Sequence, residues 1–275
     1  TTLVSCNAAG SASGNGESWE GQISPDGRFV VFSSYASDLT GTLDENGTGD
    51  VFLRDLAHGT TWLISVNAAG TAAGNGYSSA PSVSADGRYV VFVSDASDLV
   101  TNDFNGRADV FVRDTLTGVT TLVSVNAAGT ASANGDSSNP VISPDGRVVA
   151  FESAATDLVT NAVTTEQDVY VRDLVSGVTR LVSADPSGSH GGNGASFGPS
   201  LSADGRFVAF ESNASNPVTN DLNGDISDVF VRDLAAGSTL LISRNCAGTG
   251  GASDGSRNPR ISADGRHVVF LSGAP

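Results

Sequence analysis

The chain has 275 residues and sets 30 acidic side chains against 14 basic ones, a formal charge of −16 in which every basic residue is arginine. Such a balance excludes nucleic acid and anionic lipid as partners, because both need clustered positive charge, and it suits a divalent cation. No stretch approaches the roughly 20 apolar residues that span a bilayer, so membrane insertion is not expected.

The chain opens at Thr1 without a methionine and without a recognisable leader, which reads as a processed or truncated segment. A composition rich in Gly, Ser, Thr, Asn and Val, with no Met, fits a β-rich secreted protein, extracellular or at the cell surface, with the periplasm as the other candidate compartment.

Three motifs recur in phase along the whole chain. "TLVS" begins at Thr2 and returns as "WLIS" from Trp62, "TLVS" from Thr121, "RLVS" from Arg180 and "LLIS" from Leu240. Ser-(Pro/Ala)-Asp-Gly-Arg places its aspartate at Asp26, Asp86, Asp145, Asp204 and Asp264. "DVFLRD" from Asp50 is repeated by its relatives from Asp109, Asp168 and Asp228. In the second unit this predicts strands at 81–85, 88–94, 109–114 and 119–125, with Asp86-Gly87 turning the first hairpin. The second strand is apolar on both faces, as in a sheet sandwiched between others. A linker rich in Gly, Ala, Ser and Asn, read as flexible or as allowing close backbone packing, leads to the next unit.

Four antiparallel strands per unit, repeated without helices, predict an all-β fold: a β-propeller of about five repeats forming one domain over 1–275. The blades fall near 21–66, 80–125, 139–184 and 198–244, and a split blade combines 1–6 with 258–275. An open β-sandwich array is the alternative. "SPDGRFVVFSS" and "SADGRFVAFES" resemble the TolB-like (WD40-like) propeller repeat, with its Ser-Pro-Asp-Gly turn and an apolar strand ending in Phe and Ser. The resemblance covers all five units. It implies the fold and little about function, since such repeats occur in periplasmic scaffolds, peptidase lids and surface proteins.

The split blade lacks a third strand. Residues before Thr1, residues after Pro275, or a strand donated by another molecule would complete it; the last would link copies into a filament. Cys6 and Cys246 follow the fourth strands of the split blade and of the fourth complete blade. A disulfide between them would staple the closure, provided their Cα atoms approach within about 7 Å; two unpaired thiols are the other reading.

The loops before the third strands carry the one metal-like pattern. "DENGTGD" offers Asp44, Asn46 and Asp50; "DFNGRAD" offers Asp103, Asn105 and Asp109; "DLNGDISD" offers Asp221, Asn223, Asp225 and Asp228. Hard oxygens at alternate positions around a glycine turn fit calcium better than magnesium or zinc. Three such ions would bring −16 to −10. Asx-rich turns are also common in β-proteins without a metal. In the third unit Ala162, Thr164 and Thr165 replace the Asp, Asn and Gly while Asp168 persists. The aspartate opening the strand is therefore expected to serve the turn as well, accepting backbone N–H bonds. Asp114 lies some 16 Å further along the strand and should cap the next hairpin rather than bind metal.

No catalytic residue emerges, and the chain reads as a non-enzyme. His58, His190 and His267 fall at unrelated points of the repeat. Glu152 and Glu211 share one position, where Ser33 and Val93 stand in other blades, and are expected to be structural rather than a glycosidase pair. Asn46 and Asn213 open glycosylation sequons. The expectation is a calcium-stabilised structural or binding module whose partners are copies of itself or another surface protein or glycan. The alternatives are the propeller part of a larger extracellular hydrolase and a strand-donating filament subunit.

Overall fold

The computed structural model describes residues 1–160 and 166–274, and every regular element among them is a β-strand. The first repeat forms β1 (Ser18–Ile23), β2 (Phe29–Ser34), β3 (Asp50–Asp55) and β4 (Thr60–Leu63). The second forms β5 (Ser78–Val83), β6 (Tyr89–Ser94), β7 (Asp109–Asp114) and β8 (Val119–Leu122). In the third are β9 (Ser137–Ile142), β10 (Val148–Ser153), β11 (Asp168–Asp173) and β12 (Val178–Leu181). The fourth holds β13 (Ser196–Leu201), β14 (Phe207–Ser212), β15 (Asp228–Asp233) and β16 (Ser238–Leu241). The fifth contributes a hairpin, β17 (Ser256–Ile261) and β18 (Val268–Ser272). Strands pair antiparallel in chain order, so each complete repeat is one four-stranded blade of a β-propeller. Thr2–Ser5, which carries the sequence of a fourth strand, is not in a strand.

Contacts gather in two compact units, Thr1–Ser132 with Pro144–Gly146, and Ala133–Ser143 with Arg147–Pro275. Each buries the strands expected to be apolar on both faces. In the first unit Val31, Val90, Phe92 and Phe111 share one core cluster; in the second, Ala150, Val171, Val208 and Phe230 do so. Facing aromatics pair across the two middle strands of every complete blade, for example Phe92 with Phe111 at 5.8 Å and Phe210 with Phe230 at 5.6 Å. Each such buried ring contributes about 2 kcal/mol.

The Ser-x-Asp-Gly-Arg motif builds the end of the blade where β1 turns into β2. The Ser24 hydroxyl donates to Asp26 at 2.5 Å and accepts the Phe29 N–H at 2.9 Å, while Gly27 takes the positive φ of 75° that the turn demands. Arg28 then lies over the Phe29 ring and clamps Asp55, the last residue of β3, at 2.7 Å. The same Arg–Asp pair recurs as Arg88–Asp114, Arg147–Asp173 and Arg206–Asp233. As expected, Asp114 also caps its hairpin, accepting the Leu116 and Thr117 N–H groups.

One expectation needs correction. The first strand of the second repeat begins at Ser78, not at 81, and carries a bulge between Ser79 and Ser82. Ala80 sits there at φ 50°, with Glu20, Asn139 and Asn258 equivalent at 53°, 48° and 54°. Pro81 marks the bulge rather than the strand start, because proline has no N–H to give a ladder. The linkers, expected to be flexible or closely packed, are braced by hydrogen bonds. Asn75 accepts the Ser97 N–H at 2.9 Å and its own N–H reaches Asp98 at 2.9 Å, a brace repeated at Asn15, Asn134 and Asn193. Close backbone packing does hold: a Cβ on Gly76 would stand 2.6 Å from the Ala96 nitrogen.

Candidate functional site

The acid loops lie at the opposite end of each sheet from the Arg–Asp clamps, where β2 pairs Ser34 with Asp50. The aspartate opening each third strand is fully buried, and its principal partner is a serine hydroxyl, not the backbone N–H expected from the sequence. Ser65 donates to Asp50 at 2.6 Å and accepts the Val51 N–H at 3.0 Å. Ser124, Ser183 and Ser243 repeat this link to Asp109, Asp168 and Asp228. That is the role of the serine in "WLIS" and its relatives: it relays the carboxylate to the strand it opens.

The second carboxylate oxygen distinguishes the blades. Asn46, Asn105 and Asn223 donate an amide hydrogen to Oδ2 of Asp50, Asp109 and Asp228, at 2.8, 2.7 and 2.7 Å. Their oxygens sit in the turn: Asn46 accepts the Thr48 N–H and Asn105 the Arg107 N–H. The Asn thus braces the carboxylate it was expected to accompany as a ligand. In the third blade the Oδ2 of Asp168 is buried and has no hydrogen-bond partner among the described residues. Ala162, Thr164 and Thr165 themselves lie outside the described residues.

In the second and fourth blades the first aspartate of the loop is the least compensated group. Asp103 and Asp221 are each 6% exposed. Among the described residues, one oxygen of Asp103, both of Asp221 and Oδ1 of Asn223 are buried without a hydrogen bond of good geometry, although the Asn223 N–H lies near enough to Asp221 to lower its pKa. Burial pushes Asp221 up to about 6, with the charge of Asp228 adding to the effect. Burial likewise raises Asp103, although the Ser132 hydroxyl and the Asn105 N–H hydrogen-bond to it. In the first blade burial holds Asp50 up at about 7 against its Ser65 and Asn46 hydrogen bonds, and half-buried Asp44 is raised too. Two desolvated carboxylates facing each other call for a proton or a cation.

Paired carboxylate oxygens are the hard donor type that calcium takes. Among the described residues no three His, Cys, Asp or Glu stand close enough together to hold a metal by themselves, so backbone carbonyls and water would have to complete a shell. Asp225 is exposed, away from the buried pair it was expected to join.

Other sequence-marked residues resolve individually. Both cysteines are free, Cys6 buried and Cys246 exposed. Asn46 spends its amide on Asp50 and the Gly74 carbonyl, which leaves no free nitrogen for a glycan; Asn213 is exposed. His58 bonds Asp55 at 2.8 Å beside Arg28, within the clamp; His190 lies 3.6 Å from Asp185 at the surface, and His267 is exposed.

Glu152 and Glu211 are blade-to-blade ties within the second unit. Glu152 accepts the Gly198 N–H at 2.7 Å and Glu211 the Asn258 N–H at 2.6 Å. Each donor is the positive-φ residue of a bulge. In the first unit Glu20 accepts the Ala80 N–H at 2.8 Å in the same way, from a different strand. The pattern was invisible in the sequence because the bulge was.

No family profile and no curated protein matches the sequence. Solved structures do. TolB from Acinetobacter baumannii shares 21% identity, with a TM-score of 0.50 over 94% of this chain and 49% of that one. A putative TolB from Agrobacterium tumefaciens shares 17%, with a TM-score of 0.50 over 94% and 91%. Porphyromonas gingivalis dipeptidyl peptidase 4 shares 15%, with a TM-score of 0.52 over 92% of this chain and 36% of its own. The chain therefore spans about half of one TolB and about a third of the peptidase. At this identity the likeness speaks for architecture, and the architecture is that of a TolB-like β-propeller.

Proposed function

We propose that this chain is a non-catalytic propeller acting as a structural or binding module, extracellular, surface-displayed or periplasmic, with calcium bracing the acid loops of its first, second and fourth blades. Its partners would be copies of itself, or another surface protein or glycan. The observation that carries the reading is the set of buried, unpartnered carboxylate oxygens at Asp103 and Asp221, each facing a second buried aspartate. Asp44 with Asp50, Asp103 with Asp109, and Asp221 with Asp228 would hold the ions, and the charge of calcium would relieve the desolvation. Calorimetric titration of chelator-treated protein tests this, with about three calcium ions bound per chain expected from the ligand sets. Absence of binding heat together with a melting temperature indifferent to calcium rejects it.

A second reading, self-assembly by strand donation, draws support from β18. Val269 is 69% and Leu271 59% exposed, whereas Ala209, the counterpart of Val269 in β14, is fully buried. A compact monomer at every concentration and calcium level rejects that reading. A third, the propeller part of a larger hydrolase, draws on the likeness to the peptidase; a full-length gene without a catalytic domain rejects it.

A further inference from the structure

Four residues of the first two blades break the repeat together. Trp19 stands where the other repeats have Ser79, Ser138, Phe197 and Arg257. Tyr35 replaces an Asp, Ala, Asn or Gly, and Tyr77 a Glu, Asp, Ala or Gly. Though far apart in sequence, the three rings converge. Trp19 lies 4.7 Å from Tyr35 at a tilt of 39°, and 6.5 Å from Tyr77 with planes only 10° apart. Gly49 makes room for them. A Cβ there would stand 2.8 Å from Tyr77 and 3.0 Å from Trp19, and the other blades carry Ala108, Gln167 and Ser227 at that position.

The cluster adds little to a core whose own ring pairs are fully buried. Tyr35 is 53% exposed, and Trp19 and Tyr77 are only half-buried. Its surroundings are acidic. The Tyr35 N–H bonds the Glu17 carbonyl at 2.9 Å, the Asp95 N–H bonds the Tyr77 carbonyl at 2.9 Å, and Glu45 lies in the loop that ends at Gly49. The nearby arginines are committed elsewhere: Arg28 and Arg88 to the clamps at the opposite sheet ends, Arg54 to Thr61. Rings in mutual contact leave no slot between them for a compact ammonium, but they offer faces on which a planar guanidinium can stack.

We propose that Trp19, Tyr35 and Tyr77 form a docking platform for an arginine side chain of a basic segment in a partner protein, steered there by the acidic surface. This narrows the binding-module reading and rests on it. The test exploits the presence of only two tryptophans, Trp19 and Trp62. In a Trp62→Phe background, emission reports Trp19 alone. An acetylated hexa-arginine peptide should change that emission saturably and bind about fivefold tighter than hexa-lysine, because guanidinium stacks and ammonium does not. Trp19→Ser, read by calorimetry, and Tyr77→Ala should each weaken binding about tenfold with circular dichroism unchanged. Other blades of this chain already carry those residues at these positions, and Tyr35→Ala serves should either variant unfold.

Equal affinity for the two peptides, or affinity that survives the variants, reduces the effect to general acidic attraction and overturns the proposal. Binding of an N-acetylglucosamine tetramer in place of hexa-arginine overturns it too. Failure here leaves calcium binding by the loops untouched, so the two readings fall separately.

Discussion

The two ends of each blade handle the same residue type in opposite ways. At the Asp-Gly-Arg end, aspartates closing the third strand meet an arginine; Arg88 and Arg206 hold Asp114 and Asp233 down at about 2, and Arg28 holds Asp55 lower still. At the other end, aspartates opening the same strand meet serine, asparagine and further acidic side chains, and burial holds Asp50 up at about 7 and Asp168 at about 6. One end neutralises itself within the chain. The other sets desolvated carboxylates beside one another.

If that contrast is right, calcium has the largest effect. Each site saturated about 100-fold above its Kd adds about 2.7 kcal/mol, which would raise the melting temperature by several degrees per site. Melts in calcium against chelator measure it. A calcium response that persists after Asp103→Asn and Asp221→Asn together would locate binding outside these loops.

Substitution sharpens the contrast next. Asp109→Ala leaves the Ser124 hydroxyl and the Asn105 amide without their buried acceptor and should cost about 3 kcal/mol. Arg88→Ala opens a clamp whose arginine is 39% exposed and should cost about 1 kcal/mol, since solvent screens that pair. Denaturant midpoints of the two variants give the ratio; comparable losses would erase the distinction between the ends. Glu152→Ala should fall between them, at about 2 kcal/mol, because it strands the Gly198 N–H and the Gln167 amide at a blade junction.

How much of this was legible depended on whether a feature obeyed the repeat. Three motifs in phase carried the second and third strands, the Asp-Gly turns and the hairpin cap at Asp114. The serine-to-aspartate relay was in the same motifs, in phase at Asp50 and Ser65, but a link between strands shows no local spacing rule. The bulge was hidden because Pro81 reads equally well as a strand start, and with it went the reason for Glu152 and Glu211. Asn46 looked like a ligand because metal loops and Asx turns use the same residues; only the direction of its amide separates brace from ligand. Trp19, Tyr35 and Tyr77 carry no motif at all and emerge only when the repeat is subtracted.

The smallest effect, and the one that weighs both ends in a single curve, is the pH profile in chelator. Asp114 and Asp233 have folded values near 2, below the unfolded carboxylate near 3.9, so their contribution is complete above about pH 4 and is lost as pH falls through 2. Asp168 has the opposite sign. Its folded value near 6 lies above the unfolded one, so its burial is tolerated below about pH 4 and weakens the fold as pH rises through 6. Asp50 and Asp221 push the same way, which is why chelator is needed. Melting temperature should therefore peak between these limbs. Asp168→Asn should flatten part of the limb between pH 4 and 6 and leave the acid limb intact; Arg88→Ala should do the reverse. Should Asp168→Asn leave the upper limb unchanged, its buried carboxylate would not be the source of the loss.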